Sequence, residues 1–258
     1  MKISFVVPAY NEEAWLGDCL RSIITEVERS GAEAEIIVVN NASSDRTRQV
    51  ALTFPNVVVV DESRKGLVFA RSAGFAASTG DLIVHLDADS RLTPGWINAA
   101  LRELGRDSAL VAVTGPCHYF DAPKTTQAAV RVFYVGAYAV YLFNRFVLRA
   151  GSMLQGSNAA TRREALNAIG GYDTTIDFYG EDTDLARRLH TVGKVKWTFS
   201  LLVHTSGRRL KDEGLFKVGA RYALNYFWTM FLGRPYSQEY GDVRPALVRQ
   251  KPAPRQIT

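Results

Sequence analysis

Leu82-Ile83-Val84-His85-Leu86-Asp87-Ala88-Asp89-Ser90 is an apolar run that stops at two carboxylates one residue apart. Its length and composition predict a buried strand. Side chains alternate along a strand, so Asp87 and Asp89 point the same way if the extended backbone persists through them. Such a pair suits a hard divalent cation, Mn or Mg, which proteins hold with one or two carboxylates plus the oxygens of a bound phosphate. Read alone, Asp-Ala-Asp-Ser is equally well an acidic turn.

The residues upstream decide between these readings. Ile3 to Val7 is an apolar run closed by Pro8, then Ala9-Tyr10-Asn11-Glu12-Glu13, then a helical pattern from about Trp15 to Ser30. Glu35 to Val39 repeats this grammar, ending in Asn40-Asn41-Ala42-Ser43-Ser44-Asp45 before a helix from about Arg46 to Thr53. Val57 to Val60 is a third run, and Gly66 to Ser78 has helical composition. Strands alternating with helices at this spacing predict an α/β fold with a mainly parallel sheet covered on both faces. Ligands of such sheets bind beyond the carboxyl ends of the strands. Three polar clusters at those ends indicate a nucleotide site rather than three unrelated caps.

Val7 to Glu13, Val38 to Asp45, Ala70-Arg71-Ser72-Ala73-Gly74 and Asp87-Ala88-Asp89 together resemble, in order and spacing, the family 2 glycosyltransferases of GT-A (Rossmann-like) fold. The resemblance implies a central sheet flanked by helices, with additional C-terminal helices, and transfer of a sugar from a nucleoside-diphosphate donor. By it, Pro8, Tyr10 and Glu12 border the nucleoside, Arg71 reaches the nucleotide, and Asp87 and Asp89 hold the metal. Asn41 stands where many members carry a base-contacting aspartate, and an amide donates as well as accepts, so uracil and guanine both stay open. Lys65 and Gly66 belong to the same loop region.

Downstream, Thr93-Pro94-Gly95-Trp96 opens a helix to about Leu104, and Ala109 to Thr114 is a further strand. Leu154 to Ala160 reads as a small-residue loop leading into a helix from Arg162 that stops at Gly170-Gly171. The resemblance makes Gly156, Ser157 and Asn158 contacts of the donor sugar; a purely structural turn is the other reading. Glu181, Asp184, Leu185, Arg188 and Leu189 follow helical spacing, so Phe178 to Leu185 brings a carboxylate-rich helix N-terminus, which the helix dipole alone would favour. An inverting transfer needs a carboxylate to deprotonate the acceptor hydroxyl. The resemblance assigns that task to Asp182, with Glu181 beside it at the acceptor and Asp184 the less favoured choice. GT-A enzymes often carry a late histidine as a metal ligand, which points to His204; His85, His118 and His190 are expected to be structural. Arg208, Arg209 and Lys211 are expected in a mobile, glycine-bounded loop closing over the diphosphate.

Gln127 to Arg149 is apolar apart from a few polar residues, with Arg131, Tyr138 and Arg145 at heptad spacing in one stripe. An interfacial helix, a helix buried in the protein or a dimer, and a membrane span are all compatible with that pattern, and the two arginines make a span costly. Leu215 to Leu232 is a second aromatic-rich helix. Residues 1–232 are expected to form one domain, 1–115 its nucleotide-binding half and 116–232 its acceptor and catalytic half, with 233–258 a loosely ordered tail.

With 258 residues, 47% hydrophobic and 22% charged, the chain buries a full core. Its formal net charge of +5 suits anionic partners, a phosphorylated substrate or a membrane surface. No interleaving of aromatic and basic residues marks a nucleic-acid module. Cys19 and Cys117 have neither disulfide nor zinc spacing and are expected to be reduced core thiols. Met1 to Phe5 enters a strand without a signal-peptide pattern, which gives a cytoplasmic expectation, peripheral on the inner face of a membrane if the apolar helices rest there. The expected activity is metal-dependent, inverting transfer to a hydroxyl or phosphate of a glycan or lipid-linked acceptor. A nucleotidyltransferase on a related sheet lacks support because Pro8 to Glu13 is not a glycine-rich phosphate loop, and a non-catalytic nucleotide-sugar-binding protein would not need the intact acidic residues. Oligomeric state is not legible.

Overall fold

A computed structural model of the chain describes residues 1–148, 152–176, 178–237 and 241. The chain begins with β1 (Ile3–Ala9), α1 (Leu16–Ser30), β2 (Ala34–Asn41), α2 (Thr47–Leu52), β3 (Val57–Glu62), α3 (Leu67–Ala77) and β4 (Leu82–Leu86). Then follow β5 (Ser90–Leu92), α4 (Trp96–Arg106), β6 (Leu110–Thr114), β7 (Cys117–Tyr119), α5 (Lys124–Phe143) and a π-helical turn Asn144–Leu148. The chain continues with β8 (Asn158–Arg162), α6 (Arg163–Ala168), α7 (Glu181–Leu189), β9 (Lys194–Trp197), β10 (Val203–Thr205), α8 (Arg208–Glu213) and α9 (Leu215–Leu232).

Seven strands form the central sheet in the order β3-β2-β1-β4-β8-β6-β9. β1 pairs in parallel with β2 and β4, and β2 with β3, so their carboxyl ends share one rim. Continuous apolar runs explain the two middle strands: Phe5, Val6, Val7, Leu82, Ile83 and Val84 are all fully buried, as both faces of a parallel sheet require. Cys19 and Cys117 are free thiols in the buried core.

β8 departs from the sequence reading. The small-residue loop expected over Leu154 to Ala160 instead becomes, from Asn158, a strand running antiparallel between β4 and β6. Ala159 and Ala160 carry no β-branched or alternating signature, and full burial between two neighbours, not propensity, makes them a strand. The expected mobile loop at Arg208 to Lys211 is likewise the helix α8.

A small sheet, β5-β10-β7, stands beside the large one. Among the described residues no helix is long and apolar enough to cross a membrane, which removes the span from the readings of Gln127 to Arg149. Arg149 and most of the expected C-terminal tail lie outside the described residues.

Glu35 ties the amino ends of the central strands. It accepts hydrogen bonds from Ser4 Oγ at 2.5 Å and the Thr79 N–H at 2.6 Å, and pairs with Lys2 at 2.9 Å. Burial works to raise its carboxyl, but the Ser4, Lys2 and Thr79 donors outweigh burial and hold it down at about 2 against an ordinary 4.5. A depressed carboxylate contributes stability above its unfolded pKa and loses it as pH falls through the folded one. Glu35→Gln should therefore cost on the order of 1–2 kcal/mol at neutral pH and flatten the acid limb of urea-unfolding stability measured downward from pH 4.5.

Candidate active site

The loops after β1 and β2 brace each other at the rim. Asn11 and Ala42 both sit in the left-handed region, at φ 52° and 56°, a conformation that is uncommon outside glycine and held only where its surroundings impose it. The Asn11 N–H donates to Ser43 Oγ at 3.1 Å, the Ser44 N–H donates to Asn11 Oδ1 at 2.8 Å, and the Glu12 N–H donates to Thr47 Oγ1 at 2.7 Å. These crossed bonds hold Tyr10 and Glu12 on the wall of a cleft shared with Pro8 and Asn41. Asp87 and Asp89 line the same cleft, as do Ser157, Arg208 and Arg209. β4 ends at Leu86, so the two aspartates bracket a turn instead of extending the strand, yet they still meet in one cleft.

Asn41 is buried and its amide is committed. Its Nδ2 donates to the carbonyls of Glu62 (3.2 Å) and Arg64 (2.7 Å), while its Oδ1 accepts from the Gly66 N–H at 2.8 Å. It thereby folds the loop that puts Lys65 Nζ 2.9 Å from the Tyr10 hydroxyl. An aspartate could not make both donations, so the asparagine fits this loop.

Arg71 is not on the cleft wall; it is 2% exposed. Its guanidinium pairs with Glu181 Oε1 and lies 3.5 Å from Asp87 Oδ1. This corrects the expected direct nucleotide contact: the fork is spent inside the protein, joining the two acidic clusters that the sequence presents far apart. Gly156 closes over the pair. A Cβ there would stand 2.7 Å from Glu181 Oε1 and 2.8 Å from Arg71 Nη1, which explains the glycine. Burial lifts the Glu181 carboxyl to about 7 against the pull of Arg71.

Asp182 lies beside it at the start of α7, half-buried, accepting the Thr183 N–H at 2.8 Å and the backbone N–H of Gly156. Burial raises its carboxyl above the usual carboxylate range, opposed by Arg71 and these hydrogen bonds. Glu181, Asp182 and Gly156 are not on the open wall, which the neighbouring Gln155 and Ser157 form. Asp184 turns away, paired with Arg187 at 3.0 Å and Arg188 at 2.6 Å.

Asn158 and His204 are placed elsewhere than expected. The Asn158 amide is fully buried, accepting from Trp96 Nε1 at 3.0 Å and donating to the carbonyls of Pro116 (3.2 Å) and Leu201 (2.6 Å). It clamps core elements and has nothing left for a sugar. His204 pairs in register with His118 and Arg91, and its ring lies 5.1 Å from that of His118. Strand alternation aims the next residue, Thr205, at the cleft instead, where its hydroxyl is 2.9 Å from Ser90 Oγ and 3.4 Å from Asp89 Oδ1. Burial, with His118 and Arg91, lowers the His204 imidazole pKa.

Arg208 clasps Glu12 through both terminal nitrogens and reaches Asp89 Oδ2 at 3.1 Å. Arg209 bonds Glu213 at 2.6 Å and stacks over Phe178, while Lys211 pairs with Asp121 at 3.2 Å. The sequence reading also missed Leu210, Val218 and Tyr222, which with Phe178 form an apolar wall of the cleft. Helical periodicity marked the α9 residues as amphipathic without saying what they face.

The donor chemistry fits a divalent cation held between Asp87 and Asp89. Asp87 Oδ1 is buried and makes no hydrogen bond, with the Arg71 guanidinium 3.5 Å away, so it keeps lone pairs that a cation could use. Among the described residues no group of three or more His, Cys, Asp or Glu forms an all-protein cage, so phosphate oxygens would complete the shell, as is usual for Mg.

A mainly parallel sheet whose strand ends converge on an aspartate pair and a guanidinium is the architecture of a GT-A fold. The chain belongs to glycosyl transferase family 2, whose family model matches residues 4–170. It is 28% identical over 201 residues to the probable glycosyltransferase YdaM of Bacillus subtilis, covering 74% of this chain and 47% of that one. It therefore spans less than half of that curated relative. Among solved structures it resembles a mannosyltransferase from Pyrobaculum calidifontis in complex with GDP-Man and Mn2+ (TM-score 0.63, 22% identity, 90% of this chain and 63% of that one). It also resembles glucosyl-3-phosphoglycerate synthase from Mycobacterium tuberculosis with Mn2+, UDP and phosphoglyceric acid (TM-score 0.60, 22% identity, 89% and 78%).

Removing one partner of a buried pair strands the other charge. Arg71→Met should destabilise the protein by about 3–5 kcal/mol in denaturant unfolding, and Arg71→Met with Glu181→Met should recover a large part of that loss.

Proposed function

We propose that the chain transfers a sugar, with inversion, from a uracil or guanine nucleoside-diphosphate donor to a hydroxyl or phosphate of a glycan or lipid-linked acceptor. The observation that carries this reading is the convergence of Asp87 and Asp89 with Tyr10, Glu12 and Asn41 on one cleft. Tyr10 and the Asn41-shaped loop border the nucleoside. Asp87 and Asp89 would hold Mn or Mg, which supplies positive charge to the diphosphate. Residues 1–115 bind the nucleotide, and 116–232 supply the acceptor side and the catalytic carboxylates.

With a hydroxyl acceptor, Asp182 takes the hydroxyl proton as the oxygen attacks the sugar carbon opposite the leaving diphosphate; an ionised phosphate oxygen attacks without that transfer. Burial disfavours its charged form, which makes the carboxylate a stronger base than an exposed aspartate. Glu181, locked to Arg71, positions it. Arg208 exchanges its Glu12 and Asp89 partners for phosphate oxygens and, with Arg209, stabilises the leaving group. Ser157, on the wall beside Gly156, contacts the donor sugar.

A panel of UDP and GDP sugars, assayed with Mn or Mg, tests the reading. Asp182→Asn should lower transfer by about 10²–10⁴-fold while leaving donor affinity within about threefold. Unchanged transfer would place the base elsewhere. Asp87→Asn with Asp89→Asn should instead weaken metal-dependent donor binding by at least about tenfold in calorimetry.

A further inference from the structure

The last helices are built inside out. Along α9 the buried residues include Asn225 and Thr229, 1% and 0% exposed, and the half-buried Arg221 is held by Glu213 at 2.7 Å. The outward stripe is Phe216, Ala220, Leu224, Phe227 and Phe231, at helical spacing, with Phe216 92% exposed. In α5 the inward residues are Val130, Tyr134, Tyr138 and Tyr141, packed on Trp197, while Ala128, Val132, Val135, Ala139 and Phe143 face out. Phe146 and Val147 prolong that stripe through the π turn. Asn144 Nδ2 donates to the Tyr226 hydroxyl at 2.6 Å and joins the two helices. A soluble surface does not spend its apolar residues outward and its amides inward on two neighbouring helices. Apolar residues exposed along two helices in this way mark a partner or a membrane.

Charge selects the occupant. Neither α5 nor α9 contains an Asp or Glu, although the chain has 26 acidic residues. Lys124, Arg131 and Lys217 are exposed on these helices, and Arg234 follows α9. A second copy of the same face would set cations against cations with no carboxylate to answer them. Anionic headgroups answer them directly, and the apolar stripes reach the acyl boundary. The same helix α9 also turns Val218 and Tyr222 into the cleft, beside Leu210 of α8 and Phe178. The apolar face and the apolar wall of the site therefore belong to one helix.

We infer that α5 and α9 lie on an anionic bilayer surface and that the acceptor is a lipid carrying its reacting group at the headgroup, admitted to the cleft past Phe178, Val218 and Tyr222. This rests on the transferase reading above and narrows its acceptor to a membrane amphiphile. The outward stripes anchor the protein, and the wall accommodates the first part of the lipid's chain.

Flotation of the full chain tests the inference, using vesicles of phosphatidylcholine with phosphatidylglycerol beside vesicles of phosphatidylcholine alone. The wild type should float with the anionic vesicles and release as salt rises. Phe216→Ser, Phe227→Ser and Phe231→Ser together should lower the bound fraction by at least about tenfold while nucleotide binding and the thermal transition are kept. Arg131→Glu with Lys217→Glu should do the same without removing any apolar group. Sugar transfer to a long-chain lipid phosphate in vesicles should exceed transfer to a short-chain soluble analogue by about tenfold or more. A wild type that stays at the bottom with both vesicles, or floats equally with both, overturns the inference. So does a dimer that the serine substitutions dissolve in sedimentation, which would assign the face to a second copy. Hydrolysis of the donor without vesicles reads the transferase activity separately: if it persists while flotation fails, only the membrane inference falls.

Discussion

The structure turns on the Arg71 guanidinium. A permanently charged group that is almost wholly buried has lost its water, and only close carboxylates compensate for that loss. Glu181 and the nearby Asp87 supply them, one from α7 and one from the turn after β4. The contact with Glu181 spans 110 residues of sequence. The cation thus fixes the distance between Asp87 at the cleft and the carboxylates at the start of α7. Gly156 leaves the space that the contact occupies, and its own N–H reaches Asp182, so one bare backbone position serves both carboxylates.

Much of the nucleotide half was legible because its signals are local. Apolar runs of β-branched residues, each closed by a polar cluster, predicted β1, β2 and the Asp87 strand, and the rim on which their loops meet. The bounds of α9 were equally clear from composition. The missed features depend on distant partners. Ala159 and Ala160 become a strand only because β4 and β6 flank them, and Asn158 is consumed by Trp96, Pro116 and Leu201, none near it in the chain. Arg71 looked like a phosphate ligand because a guanidinium's preference for oxyanions does not say whether the oxyanion is a phosphate or a glutamate. His204 missed the cleft by one residue of strand alternation, which nothing in the local sequence reveals.

Amphipathic helices carry a different ambiguity. Periodicity separates two faces of α5 and α9 but does not state which one is inward, and the ordinary assumption puts the apolar face there. Here Tyr134, Tyr141 and Asn225 turn in because their hydroxyls and amide find fixed partners, such as Tyr134 Oη accepting the Cys117 N–H at 3.1 Å. Aromatic bodies with polar tips make such an interior possible.

β8 has a consequence for how the molecule is made. β4 sits in the middle of the finished sheet, yet its antiparallel neighbour enters only at Asn158, long after Leu86 has left the ribosome. Through that interval a nascent sheet of the first four strands would expose unpaired N–H and C=O groups along β4, a strand that is apolar except for His85. Such an edge is a template for foreign strands. Until the short strand from Asn158 pairs there, that edge stays open, so the middle of the polypeptide guards a sheet built by its first third.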